Sequence, residues 1–310
     1  MTGPSAPPVG WIGPGLRRVL APNPSPMTGP GTNTYLLGPG DGAVAVIDPG
    51  PDDAAHLAAI LGALGPGERI VHILVTHSHR DHSGLAAALS AATGAEVLGF
   101  GPDTAGRSPA MARLAAAGPI GGGEGLHPGY RPDRRLADGE AVEVAGAVLR
   151  ALHTPGHLGN HLCFLWQDRC FTGDLVLGWT SSLISPPDGD LDDYLASLAR
   201  LAGTGVRVGL AGHGADIPDL GPRIAALAAH RRRRDDEIRA ALAERPATAP
   251  DLVARVYAGL APELATAAAR NVLSHLISLE SRGLAACTGP LSATAVFALT
   301  GCPDGTRPRR

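Results

Sequence analysis

At 310 residues, 44 % of them apolar, the chain is long enough for one large domain and a smaller one, and no apolar run reaches the length of a membrane span. The net charge of −3 excludes a polycation overall, and the 13 Arg against 8 Asp and Glu over residues 221–310 read as a solvated helical face rather than a polyanion site. Gly (42) and Pro (28) are numerous but follow no period, which excludes a fibrous repeat. All 26 basic residues are Arg, a mark of GC-rich coding that weakens each Arg as evidence of bidentate recognition. Cys163, Cys170, Cys287 and Cys302 show neither C-x-x-C spacing nor a disulfide framework. With no charged-then-apolar leader, the expectation is a soluble, cytoplasmic protein.

Residues 1–32 hold eight Pro and read as an extended arm leading into a first strand. Strands are expected at 35–37 and 43–48, then an amphipathic helix over 53–64, a strand at 70–75, a helix over 83–92 and a strand at 96–100. The Gly/Pro-rich stretch 101–133 is irregular apart from a short helix near 109–117, and could face a substrate. Strands resume at 141–144, 147–153, 161–165 and 169–172, followed by a helix over 191–202 and a strand at 206–211. Several strands follow one another through tight turns, which suggests α/β sheets covered by helices rather than a single doubly wound sheet. From residue 221 the composition changes. Helices over 222–244, from an Asp251 N-cap to 257, and over 262–282 precede two short apolar runs, a pattern that fits a winged-helix module.

The informative feature lies after the 70–75 run. Residues 76–84 read T-H-S-H-R-D-H-S-G, so His77, His79, Asp81 and His82 leave the end of a buried strand together. Only 12 of 310 residues are His, so three in six is not a chance loop composition. Imidazole nitrogen and carboxylate oxygen suit zinc and similar divalent metals. Four more positions sit on strand-end turns: His157 in H-T-P-G-H, Asp174 in F-T-G-D, His213 in A-G-H-G and Asp48 before Pro49-Gly50. Each motif alone is ordinary turn chemistry. In this order after H-x-H-x-D-H they point to ligands converging at one edge of a sheet pair.

These motifs resemble the metallo-β-lactamase superfamily over about residues 15–220. The resemblance implies a four-layer αββα sandwich as a catalytic domain over 15–220, a winged-helix-like domain over 221–300 and a flexible tail over 301–310. It implies two Zn2+, with Fe or Mn as alternatives. His77, His79 and His157 would hold one ion, Asp81, His82 and His213 the other, and Asp174 would bridge both. Asp48 would orient a ligand without binding metal, with His153 and His161 as further supporting residues. A metal-bound hydroxide would attack an ester-type bond, with Asp81 as the catalytic carboxylate that orients it and takes its proton.

Within the superfamily, N-P-S-P-M-T-G-P-G-T-N-T-Y-L (23–36) and H-T-P-G-H (153–157) are similar to a group holding a single-stranded-RNA endoribonuclease and polyketide-releasing thioesterases. The chain departs from that group at Leu158-Gly159-Asn160, and residues 178–187 form an insert that either shapes the pocket or is a structural loop. The partner implied is a small acyl substrate in a thioester or ester, with single-stranded RNA as the alternative, no membrane, and a homodimer through the C-terminal domain as a further option. An iron-dependent oxidoreductase on the same ligands is the third reading. His56, His72, His127, His230 and His275 read as structural.

Overall fold

The computed structural model describes residues 9–38, 42–118 and 120–301; the expected tail and the start of the arm lie largely outside them. In chain order the strands are β1 (Val9–Gly13), β2 (Leu16–Leu20), β3 (Asn33–Leu37), β4 (Ala43–Ile47), β5 (Arg69–Leu74), β6 (Glu96–Gly99), β7 (Arg134–Arg135), β8 (Ala141–Val144), β9 (Ala147–His153), β10 (Leu162–Trp166), β11 (Arg169–Gly173), β12 (Val208–Ala211), β13 (Ala285–Thr288) and β14 (Val296–Leu299). The helices are α1 (Ala54–Gly62), α2 (Arg80–Ser83), α3 (Ala86–Thr93), α4 (Pro109–Ala117), α5 (Leu191–Ala202), α6 (Leu220–Glu244), α7 (Ala249–Val256) and α8 (Ala265–Ser281).

Strands β1 to β7 form one sheet in sequence order, and β12-β11-β10-β9-β8 form a second. Alternation along the strands sorts side chains between two layers of packing. Tyr35, Leu37, Ile47 and Leu74 of the first sheet meet Leu149, Phe164, Phe171 and Leu210 of the second in the central core. On the outer face of the first sheet, Leu36, Val46 and Ile73 pack on Ile60 of α1 and Leu89 of α3. On the outer face of the second, Cys163 and Cys170 pack on Tyr194 and Leu198 of α5 and Ile224 of α6. The order of layers is therefore αββα, with β3 buried along its whole length.

The first part of the expected arm is a hairpin instead. Gly15 takes φ 72° in the turn, β1 pairs antiparallel with β2, and β2 pairs with β3, so residues 9–20 extend the sheet. Pro and Gly density concealed this, because the prolines flank the strands rather than interrupt them.

Helix α6 belongs to two cores. Leu220, Ile224 and Leu227 cover the second sheet, whereas Ile238 and Leu242 pack with Leu252, Leu276 and Phe297 in a separate C-terminal core. Helix α7 starts at a Thr248 N-cap, not at Asp251: Thr248 accepts from the Asp251 N–H, and Asp251 accepts from the Thr248 N–H, a reciprocal capping box. Ahead of α8, residues 262–264 form a single 3-10 turn.

Strands β4 and β5 run parallel, as do β11 and β12, so their C-terminal ends can carry turns to a common edge. The sheets are tied there by Asn33 N–H donating to Gly212 O at 2.7 Å and by a bridge between Thr32 and His213.

Candidate metal centre

Asp48 follows β4 with φ 52°, a left-handed conformation that Asp tolerates better than most residues. That geometry turns its carboxylate onto the strand-end loop after β5. Oδ1 accepts from Thr76 N–H at 2.7 Å, and Oδ2 accepts from Thr76 Oγ1 at 2.8 Å and from His82 Nδ1 at 2.9 Å. Thr76 Oγ1, donating to Asp48, has a lone pair free for His77 Nδ1–H at 2.9 Å. His157 Nδ1–H donates to Leu183 O at 2.7 Å, and His213 Nδ1–H to Gly31 O at 3.2 Å. Four imidazoles thus have their Nδ1 proton engaged by an acceptor, so that in the neutral ring each Nε2 is a lone pair aimed inward.

Those lone pairs converge. His77 Nε2 and His157 Nε2 each lie 3.0 Å from His79 Nδ1. His82 Nε2 lies 3.3 Å from His213 Nε2, and His213 Nε2 lies 3.3 Å from Asp81 Oδ2. The Asp174 carboxylate stands between the sets, with Oδ2 at 3.7 Å from His157 Nε2 and 3.4 Å from His213 Nε2, and Oδ1 at 3.5 Å from His82 Nε2. Two groups of donors result, His77, His79, His157 and Asp174, and Asp81, His82 and His213, each with its atoms within 4.8 Å of one another.

Three observations fit this donor set to a divalent cation. His79 Nδ1 faces both His77 Nε2 and His157 Nε2 at 3.0 Å, and one proton on it would serve only one of those two lone pairs, whereas a cation among the three serves all. Asp174 Oδ1 is buried and accepts no hydrogen bond from the described residues. The space beside it is kept open by Gly212, where a Cβ would come within 2.7 Å of both Asp174 Oδ1 and His82 Cε1.

Electrostatics divides the two groups. Burial, reinforced by the neighbouring imidazole of His157, pushes His79 down to about 3, and burial also lowers His77 and His157, so these three are neutral at pH 7, the form in which imidazole can bind a metal. Burial acts against protonation of His82 and His213 too, but there the carboxylates win. Asp81, Asp174 and Asp48 hold His82 well above its ordinary value, and Asp174 with Asp81 raises His213 to about 9. Burial would raise Asp174, yet His213 and His82 hold it well below the usual carboxylate range. The centre is built around negative charge that asks for a cationic partner.

Supporting residues fall into place unevenly. His161 accepts the Asp174 N–H at 3.2 Å through Nε2 and donates from Nδ1 to Thr154 Oγ1, so it fixes the backbone of that donor residue. Gly173, with φ 46°, is needed there because a Cβ would lie 2.7 Å from His161 Nε2. His153 touches none of the seven donors. Its ring stacks on Phe100 with centroids 3.8 Å apart, and its Nε2 donates to Gly159 O. Thr32 Oγ1 donates to Asp81 Oδ2 at 3.3 Å; the motif at 23–36 was the only sequence signal for it.

The donors open into a cavity of about 510 Å³ floored by His79, Asp81, His157, Asp174 and His213. Leu177, Trp179 and Leu183 from the insert and its approach line it, together with Tyr257, Leu260, Leu264 and Ala268 from the C-terminal part. The insert therefore lines the pocket. The C-terminal wall was not legible beforehand, because it comes largely from the connection between α7 and α8, where no period distinguishes a cavity face from a core face. Arg231, read as one of a solvated run, is 1 % exposed, with its guanidinium 5.2 Å from the Tyr194 ring centroid. Arg234 stacks on Tyr257 at 3.8 Å and pairs with Glu237, whereas Asp235 is engaged by His275 and Arg282.

An αββα sandwich with a His/Asp donor cluster at one sheet edge defines a metal-dependent hydrolase. A model of the metallo-β-lactamase superfamily matches residues 27–213, and a model of the β-lactamase-associated winged-helix domain matches residues 248–290. The chain belongs to the metallo-β-lactamase superfamily and carries a C-terminal winged-helix domain. It is similar to the lactamase-like protein adaB of Aspergillus niger, 31 % identical over 80 % of this chain and 75 % of that one. It is likewise 31 % identical to an atrochrysone carboxyl ACP thioesterase of Claviceps purpurea over 82 % of this chain and 76 % of the relative. Among solved structures, a metallo-β-lactamase family protein from Thermus thermophilus aligns with a TM-score of 0.75 at 30 % identity, covering 94 % of this chain and all of that one. A β-lactamase domain protein from Burkholderia ambifaria aligns at 0.76 and 25 % identity over 96 % and 95 % of the two chains. No helix among the described residues is long and apolar enough to cross a membrane.

Proposed function

We propose that this chain is a binuclear zinc hydrolase that cleaves a thioester or ester carrying an apolar acyl group. The observation that carries this reading is the cavity: the donors face an enclosure of about 510 Å³ walled by Leu177, Leu183, Tyr257, Leu260 and Leu264, with Arg80 as the only Lys or Arg among its lining residues. That size and polarity suit a drug-sized acyl group rather than a sugar-phosphate backbone. The similarity to the atrochrysone carboxyl ACP thioesterase of Claviceps purpurea supports the same class. His77, His79 and His157 would hold one ion and Asp81, His82 and His213 the other, with Asp174 between them. Divalent ions in such a site lower the pKa of water towards 7 and polarise an acyl oxygen.

Asp81, held below the usual carboxylate range by His82 and His213 in spite of burial, is ionised and so can accept a hydrogen bond that orients the attacking water. It takes up the water's proton afterwards by virtue of its position beside the other donors, not of its basicity. Thr32 Oγ1 keeps that carboxylate aimed. The catalytic domain spans about 15–220, and the C-terminal domain, 221–300, closes over the acyl group. The 231–234 run lends little to RNA binding, since Arg231 is buried and Arg234 lies on Tyr257. The cytoplasm is the compartment we assign, in keeping with the free thiols Cys163 and Cys170.

Purified protein should contain about two zinc ions by elemental analysis and turn over an acyl-thioester panel, and Asp81→Ala should abolish turnover with the circular dichroism spectrum unchanged. Cleavage of labelled single-stranded RNA without thioester turnover would overturn the substrate class. One ion or fewer, or stoichiometric iron with oxygen uptake, would overturn the chemistry.

A further inference from the structure

His157 owes its ligand-ready tautomer to one carbonyl, Leu183 O at 2.7 Å, and that carbonyl sits in the insert, outside any helix or strand. A loop carbonyl does not hold a ring in place unless something holds the loop. Two side chains from the C-terminal part do so. The buried Arg231 guanidinium of α6 donates Nη2 to Ser182 O, and Asn271 Oδ1 of α8 accepts the Ile184 N–H at 3.1 Å. Arg231 Nη1 donates to the same Asn271 Oδ1 at 3.0 Å, so the two residues form one unit gripping the residues on either side of Leu183. The Ser182 hydroxyl donates in turn to Asp174 O and Leu175 O, so the gripped segment also touches the backbone of the carboxylate between the donor groups.

The energetics of Arg231 argues for a positional role. Its side chain is buried, no carboxylate among the described residues lies within ion-pair distance, and Nε has no acceptor there. A buried cation facing only neutral acceptors is expensive, and an apolar residue of similar size would pack more cheaply if stability alone were served. We propose that Arg231 and Asn271 are positioning residues for the metal centre, clamping residues 182–184 so that Leu183 O fixes His157 as a ligand. The proposal rests on the metal-centre reading given above.

Zinc affinity measured by competition with a chromophoric chelator tests it without using turnover. Asn271→Leu should weaken zinc binding roughly 10–100-fold, the range for losing an outer partner of a ligand. Asn271→Asp keeps an oxygen for both Ile184 N–H and Arg231 and should restore wild-type affinity. In a His157→Ala background the Asn271→Leu effect should shrink to what the Ser182 contact with Asp174 O carries, because the route through Leu183 O has been removed. Arg231→Met, read in the same assay, should behave as Asn271→Leu does. Asn271→Leu with wild-type zinc affinity would overturn the clamp while leaving the metal centre standing. So would an equal loss in the Leu and Asp variants accompanied by a lower Tm of the chelator-treated protein, which would mark a packing role. Wild-type protein that binds no zinc would overturn both readings.

Discussion

Replacing Asp48 by Asn alters no shape and leaves the left-handed backbone acceptable, yet it should disable half of the centre. The carboxylate accepts three hydrogen bonds, one at Oδ1 from Thr76 N–H and two at Oδ2 from Thr76 Oγ1 and His82 Nδ1–H. An amide must put its NH2 at one of these places. Placed at Oδ1, it would oppose the buried Thr76 N–H across 2.7 Å, at a cost of about 1–3 kcal/mol for each unpaired donor. Placed at Oδ2, it drives the His82 proton from Nδ1 to Nε2. That atom lies 3.3 Å from His213 Nε2 and 3.5 Å from Asp174 Oδ1, and an N–H there accepts no cation. Affinity for the ion at Asp81, His82 and His213 should fall roughly 10–100-fold, or about 1.4–2.8 kcal/mol. The His77, His79 and His157 group should lose less, through Thr76 Oγ1, which can no longer donate to that position and so holds the His77 proton less firmly. Zinc titrations in chelator buffer, with bound metal counted by elemental analysis, would resolve the two ions. Wild-type affinity at both would refute the tautomer argument.

Two further outcomes follow from the geometry. Gly212→Ala should fold, since Gly212 is not in the left-handed region, but its Cβ would intrude beside Asp174 Oδ1 and His82; a variant with normal zinc stoichiometry would show that the space is not needed. His56 is fully buried against Thr34 Oγ1, and burial lowers it from 6.5 to about 4, with Asp53 opposing weakly. The unfolded chain therefore takes up this proton first: stability is complete above pH 6.5 and declines as pH falls towards 4, by an amount on the order of 3 kcal/mol. Urea unfolding of chelator-treated protein at pH 7.5 and 4.5 should show a smaller acid loss in His56→Gln than in wild type; equal losses would refute it.

The sandwich and the donors were legible for one physical reason. Ligands on strand ends follow short apolar runs, so His77, Asp174 and His213 announce themselves by an apolar stretch, a turn residue and then chemistry. Residues 9–20 were hidden by Pro and Gly, whose placement beside rather than inside the strands composition does not reveal. The start of α7 was displaced because Thr248 and Asp251 both suit a cap, and only the reciprocal bond decides between them. Arg231 was hidden by its neighbours: Arg232 and Arg233 do face solvent, and a four-residue run gives no hint that helix rotation buries its first member. The carbonyl groups of Leu183 and Gly31, which set imidazole protons, carry no side-chain signature at all.

The wall formed by Tyr257, Leu260 and Leu264 has a temporal side. Every donor lies between residues 77 and 213, whereas that wall lies about forty to fifty residues later in the chain. Chains are made from the amino end, and domains generally fold as units in that order. A nascent polypeptide would therefore expose all seven donors before it owned the lid of its own chamber, leaving an interval in which ions can enter from open water. A chain ending after α6 would hold the seven donors, Arg231 and the insert wall, but neither Asn271 nor the wall of Tyr257, Leu260 and Leu264, so an early-loaded centre would be both open and weakly held until α8 docks.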